Sequence, residues 1–149
     1  MRRGERLRMR IEHTIDTRTV RFGAWVLRRT RGRAARLWHR RALVLTTRGR
    51  RSGRERTVPL QYFPDGESMI VVAANSGLPA PPGWYLNLLT EPRARVEVEG
   101  RTLTVRAERL SDAETATHWQ QVLRAAPDYA RYPRRAGHPL PLIRLTPVP

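Results

Sequence analysis

Five arginines, Arg48, Arg50, Arg51, Arg54 and Arg56, fall within one short stretch of the chain. A guanidinium is planar, permanently charged and forked, so it suits phosphates and carboxylates. Gly49, Ser52 and Gly53 stand among these arginines, in the order T-T-R-G-R-R-S-G-R-E-R-T. Such a cluster grips an anion; by charge alone it could equally be a solvated basic hairpin. Groups that would perform chemistry are sparse elsewhere. There is no cysteine, which excludes disulfides, thiolate catalysis and cysteine-ligated metals. His13, His39, His118 and His138 lie far apart and lack metal-ligand spacing. No G-x-S-x-G, G-x-G-x-x-G or G-K-[ST] pattern is present. Glu97 and Glu99 share one strand face and read as solvated rather than as an acid–base pair. This pattern suits a protein that binds a cofactor carrying its own reactivity.

The elements that would position the arginines are strands. Ala42 to Arg48 is an apolar, β-rich run, and residues 54–63 read as its hairpin partner. Gly49 and Gly53 bracket the turn as positions free to adopt positive φ. Pro59 inside the second strand argues for a sheet edge or a bulge. A turn at Pro64-Asp65-Gly66-Glu67 leads into a third strand over 68–74. Residues 75–83, rich in Pro and Gly, form a loop, and a short helix follows from Trp84 to Leu89. Residues 95–99 and 102–107 alternate as two antiparallel strands around Gly100. Ser111-Asp112-Ala113-Glu114 is a capping box that opens a helix to about Ala125. His118 reads as a half-exposed packing residue on it. Residues 142–145 make a terminal strand. Six strands joined by hairpins, with a few short helices, predict a mainly β antiparallel barrel.

The chain has 149 residues and a net charge of +16, enough for one domain with a modest core. The charge is unevenly placed. Residues 1–56 hold 19 arginines against four acidic residues, whereas the rest is nearly balanced. All 29 basic residues are Arg, and a bias in genomic composition explains that preference as well as any mechanism does. Leu7, Ile11, Ile15, Phe22 and Val26 form a helical stripe over residues 5–29. Such a basic amphipathic helix could pack on its own barrel, lie on an anionic membrane surface or approach nucleic acid. We therefore divide the chain into a basic helical arm, 1–41, and a barrel domain, 42–149. No run reaches the roughly 20 apolar residues of a membrane span. The arginine-bearing N-terminus lacks the apolar segment of a secretory signal. A cytoplasmic protein is expected, with the arm able to hold it against the inner face of the membrane.

Residue order adds a resemblance. The run from Thr46 to Leu60 resembles the signature T-T-x-G-R-[KR]-[ST]-G-x-x-R-x-x-P-L of the deazaflavin-dependent nitroreductase family, which uses coenzyme F-420. V-V-A-A-N-S-G at 71–77 and P-G-W-Y-L-N-L at 82–88 match further family segments in the same order. The resemblance implies a split β-barrel like that of the flavin-mononucleotide oxidoreductases. It implies hydride transfer from reduced coenzyme F-420, rather than from flavin mononucleotide, to a flat apolar acceptor such as a quinone or nitroaromatic. It places Arg50, Arg51 and Ser52 on the cofactor phosphate, with Arg56, Thr57, Val58, Pro59, Leu60 and Gln61 continuing the lining. Val72, Ala73, Ala74 and Asn75, then Gly83, Trp84, Tyr85, Leu86 and Asn87, match the other cofactor-contacting stretches. Without the motif, Trp84 and Tyr85 read equally as a hydrophobic plug at one barrel end.

The resemblance puts Tyr129 and Tyr132, with Gln61 and Ala74, on the substrate side. There the chain departs from its relatives. Ala126, Ala74 and Gln61 stand where some members carry Tyr, Ser and Tyr, which should leave a wider pocket poorer in hydroxyls. The contrasting reading is a basic barrel that binds nucleic acid or a membrane surface without catalysis. Few aromatics accompany the charge (Phe22, Trp25, Trp38), and no nucleic-acid-recognition motif is present, which disfavours nucleic acid.

Overall fold

The computed structural model describes Arg41 to Pro149 together with Trp25, Arg28 and Arg29. Those three isolated residues are helical, and Arg28 donates from Nε to Glu97 on the barrel at 3.0 Å. The rest of the expected helix over 5–29, like most of the arm, lies outside the described residues.

Seven strands form one antiparallel sheet: β1 (Ala42–Arg48), β2 (Glu55–Gln61), β3 (Phe63–Asp65), β4 (Ser68–Val72), β5 (Arg93–Val98), β6 (Arg101–Arg109) and β7 (Leu142–Pro147). Their order is β2-β1-β5-β6-β7-β4-β3. The two edge strands, β2 and β3, are consecutive in sequence and separated only by Tyr62. The sheet must therefore curl until its edges meet, as a split barrel does. Tyr62 still donates its N–H to the Arg41 carbonyl at 3.0 Å, while Phe63 already pairs with Ile70 of β4. The sequence reading expected six strands because it took 54–63 as one. That run instead changes partners at Tyr62, which makes seven. Pro59 sits on β2, which pairs with β1 alone, so its missing N–H costs no ladder bond on a second side.

Alternation along the strands divides the apolar residues into two cores. Leu43 and Leu45 of β1, Met69 and Val71 of β4, Val96 and Val98 of β5, and Ile143 and Leu145 of β7 fill the barrel interior. Ile70, Val72 and Leu142 point the other way, and with Phe63 and Leu110 they meet a helical layer. Burying each such side chain contributes about 1.5–3 kcal/mol. The helices are α1 (Gly83–Thr90), α2 (Asp112–Ala125) and α3 (Arg131–Ala136), with a 3-10 turn at Pro127–Ala130 between the last two. Ser111 and Glu114 form the expected capping box. Arg144 on β7 fastens the start of α2 to the sheet, reaching Asp65 at 3.0 Å and Glu114 at 2.9 Å. Arg144, followed by the Ser111 bonds, holds the Glu114 carboxyl below the usual carboxylate range. His118 makes a packing contact: it meets Gln121 at 3.2 Å, whose amide in turn donates to the Pro64 carbonyl at 2.8 Å.

Candidate active site

Along the exposed edge β2 runs a groove of about 670 Å³, within the ~300–1,000 Å³ typical of small-molecule sites. Its walls come from four separate parts of the chain. The first is the turn after β1. The Gly49 N–H bonds the Arg54 carbonyl at 2.7 Å, and the Gly53 N–H bonds the Gly49 carbonyl at 2.8 Å. Gly53 has φ +69, as its glycine suggests. Gly49 is required for a different reason: a Cβ there would lie 2.9 Å from Ser52 Oγ and 3.0 Å from the Arg54 carbonyl. Close approach, not positive φ, fixes that position. Ser52 Oγ accepts from the Arg54 N–H at 3.2 Å.

The second wall is β2 itself, from Arg56 to Gln61. Thr57 Oγ1 lies 3.1 Å from Thr46 Oγ1 on β1, and Val58, Pro59 and Leu60 offer a half-buried apolar strip. The third comprises Val72, Ala74, Asn75 and Ser76, followed by Pro82, Gly83 and Trp84 at the N-terminal end of α1. Asn75 and Ser76 hold φ of 43 and 55, and the Asn75 amide donates to the Ala80 carbonyl at 2.8 Å. Gly77 follows with φ +78, packed so that a Cβ would strike Arg135 Cβ at 2.9 Å. The fourth wall is aromatic. Tyr129 stands edge-on to Phe63 at 5.7 Å and to Tyr132 at 5.1 Å, and Arg131 lies over the Tyr132 ring at 5.2 Å.

The groove thus gathers basic residues at one end and tyrosines in another wall, with an apolar strand edge beside them. Arg50, Arg51 and Arg56 form no ion pair with any described acidic residue. Their charge is uncompensated within the described protein, which is what an anionic ligand would need.

The family model for F-420H(2)-dependent quinone reductase matches residues 19–147 of this sequence. The chain belongs to that family. Its members are oxidoreductases, and their cofactor is coenzyme F-420. An F-420H(2)-dependent quinone reductase of Mycobacterium tuberculosis is 31% identical over 144 residues, spanning 91% of this chain and 95% of its own. Among solved structures, an F-420H2-dependent reductase (FDR-A) is 29% identical with a TM-score of 0.65, covering 71% of this chain and 94% of that one. A second structure, a domain-swapped dimer, is 26% identical with the same TM-score and covers 78% and 96%. The resemblance read from the three motifs therefore holds, as do the split barrel and the deazaflavin cofactor. Quinone is the acceptor that the family description names.

Within this family member, most residues singled out in the sequence line the one groove. Ala73, Tyr85 and Leu86 do not. Ala73 and Tyr85 are buried in the barrel core, and Leu86 packs against it. A segment contacting a ligand turns alternate residues away from it, and a motif match cannot tell the two sets apart. Trp84 serves both readings, since it lines the groove and belongs to the core. Ala126 is fully buried among the residues of the outer core and does not line the groove; Ala74 and Gln61 do line it. Gly49, Ser76 and Pro82 complete the lining and were missed. Each lies inside one of the three matched motifs, beside residues already singled out, and that position is the available signal.

Proposed function

We propose that the groove binds coenzyme F-420 and a quinone side by side, and that the protein passes a hydride from the reduced coenzyme to the quinone. The observation that carries this reading is the coincidence of unpaired arginines, apolar strand edge and tyrosine wall in one groove of suitable size. Arg50, Arg51, Ser52 and Arg56 would take the phosphate and the polyglutamate tail through charge-assisted hydrogen bonds. Thr57 to Gln61, with Val72, Ala74, Asn75, Gly83 and Trp84, would enclose the ring system. When bound, the reduced coenzyme supplies the hydride, and the protein's part is to bind, orient and exclude water. Tyr129 and Tyr132 would stack the acceptor, with Ala74 and Gln61 beside it, because aromatic walls favour flat apolar molecules. A nitroaromatic fits the same wall and is the second acceptor class to test.

Among the described residues no helix is long and apolar enough to cross a membrane. We place the excess positive charge of residues 1–41 at an anionic bilayer surface, where lipophilic quinones reside. That attraction should fall steeply with salt.

Turnover tests the assignment. Reduced coenzyme F-420 mixed with the protein and a water-soluble naphthoquinone should recover its oxidised absorbance at a rate proportional to enzyme. Oxidation no faster than without protein, for quinones and nitroaromatics alike, would overturn it.

A further inference from the structure

The sequence motif places Asn87 among the cofactor contacts, and Asn87 does line the groove, but its carboxamide is already committed within the protein. Asn87 sits on α1 and is only 4% exposed. Its Oδ1 accepts twice from Arg50, from the backbone N–H at 3.2 Å and from Nη1 at 3.0 Å. Its Nδ2 donates to Thr47 Oγ1 at 3.0 Å, and Thr47 is itself buried. We infer that Asn87 is a positioning residue: its carboxamide clamps the arginine-bearing turn to α1 through Arg50 and sets the direction in which that turn presents its cations.

The geometry of the turn requires such a clamp. Its internal bonds, Gly49 to Arg54 and Gly53 to Gly49, fix its shape. They do not fix its tilt relative to the barrel, because a hairpin tip beyond the last paired residues can swing as a unit. The ladder between β1 and β2 ends at Arg48 and Glu55. Among the described residues, the hydrogen bonds from the tip, 49–54, to another element are the two that reach Asn87. The chemistry of the side chain also fits the task. An aspartate could accept from Arg50, but its charge would cancel one of the cations the groove offers. A leucine would strip the part-buried Arg50 N–H and the buried Thr47 hydroxyl of their partner. The neutral amide accepts from Arg50 and donates to Thr47 while leaving the guanidinium charge whole. Arg50 correspondingly spends Nη1 and its own N–H on the clamp, which leaves Arg51 free to reach a ligand.

This inference rests on the reading of the groove as the coenzyme F-420 site, and its test separates the two. Amide hydrogen exchange across 48–56 in the ligand-free protein is measured alongside F-420 affinity by fluorescence titration. In Asn87→Leu, exchange in that segment should rise at least about tenfold while β5 and β6 stay unchanged, and F-420 should bind about 10- to 30-fold more weakly. Asn87→Asp keeps the acceptor, so it should restore slow exchange while binding F-420 a few-fold more weakly through its charge. In an Arg50→Met background, which removes the Nη1 bond and leaves the backbone one, Asn87→Leu should weaken F-420 binding less than it does in the parent, because part of the clamp is already gone. Should Asn87→Leu fail to fold, Thr47→Val removes only the Nδ2 bond, and faster exchange confined to 48–56 is expected. Unchanged exchange with fully retained affinity loss in the Arg50→Met background would overturn the inference and make Asn87 a direct contact. Unchanged exchange and unchanged affinity would overturn it too. If the parent failed to bind F-420, the cofactor reading would fall, while the exchange results would still judge the clamp.

Discussion

The two ends of the groove are built by different means. At the arginine end, buried polar groups interlock: Thr47, Asn87 and the backbone of the turn leave little freedom. At the tyrosine end, the wall rests on edge-on ring contacts and a left-handed loop tied by exposed bonds. Satisfied buried hydrogen bonds specify one geometry, whereas aromatic edges tolerate small shifts of a few tenths of an ångström at little cost. The arrangement matches a site that meets one fixed ligand at one end and varied molecules at the other. The arginine turn keeps the whole of the signature read in the sequence, whereas the departures that the resemblance implies, Gln61 and Ala74, lie outside the turn.

The largest effect should come from the left-handed loop. In Gly77→Val, a β-branched residue is forced to φ +78 with its Cβ against Arg135, which should cost about 1–3 kcal/mol or more and lower Tm by roughly 4–10 °C. Thermal unfolding measures this. Because the strain falls away from the arginine turn, F-420 affinity should fall less than turnover does. A loss of affinity larger than the loss of turnover would show that the two ends are not separable.

Arg51→Ala is the complementary change at the other end. Losing a charge-assisted phosphate contact should weaken F-420 binding by about 1–3 kcal/mol, read as about a 5- to 150-fold rise in Kd. The exposed side chain makes no packing contribution to either core, so Tm should barely move. Unchanged affinity with a lowered Tm would mark the turn as structural.

These two positions also show where the sequence is informative. The turn was legible because its shape is local: strands, glycines and cations lie within a few residues of one another. The short helix at Gly83–Thr90 and the capping box at Ser111 were legible for the same reason. The change of sheet partner at Tyr62 was not, since the apolar pattern runs through it and only the closure of the barrel reveals it. Helix α3 was also missed, because Pro133 interrupts an arginine-rich run; the helix tolerates the proline in its first turn. Asn87 stands 37 residues from Arg50 and 40 from Thr47. No spacing rule reaches so far, so its task emerges only from the fold.

Tyr129→Ala should have a moderate effect. It removes two edge-on ring contacts, worth about 0.5–1.5 kcal/mol each. We expect kcat/KM for a quinone to fall by about 3- to 10-fold while F-420 affinity holds within about threefold. Parental activity with every acceptor would make the tyrosines packing residues.

The smallest effect concerns pH. His138 lies between two backbone carbonyls, with Nδ1 2.8 Å from that of Pro139 and Nε2 3.1 Å from that of Pro79. A neutral ring can donate to only one of them, so both bonds require the imidazolium. The Pro139 carbonyl first, then that of Pro79, push the ring's pKa above the ordinary 6.5. A raised pKa means the tie is fully present below the ordinary value and is lost as pH rises through the folded one. Amide exchange at Leu78 and Ala80, corrected for its intrinsic pH dependence, should therefore increase modestly from pH 6 to pH 8. In His138→Ala it should be faster at both pH values and lose this dependence. A pH dependence that survived the substitution would assign it to another group.

The most direct test of the arginine turn as an anchor for a phosphate and a polyanionic tail is a parallel fluorescence titration of the intact protein with coenzyme F-420 and flavin mononucleotide. The two ligands share a flat ring system and a phosphate, but only F-420 continues into a chain of carboxylates that uncompensated guanidinium groups can hold. F-420 should bind at least about tenfold more tightly at low salt, and added salt should narrow the gap. Equal or tighter binding of flavin mononucleotide would contradict the account.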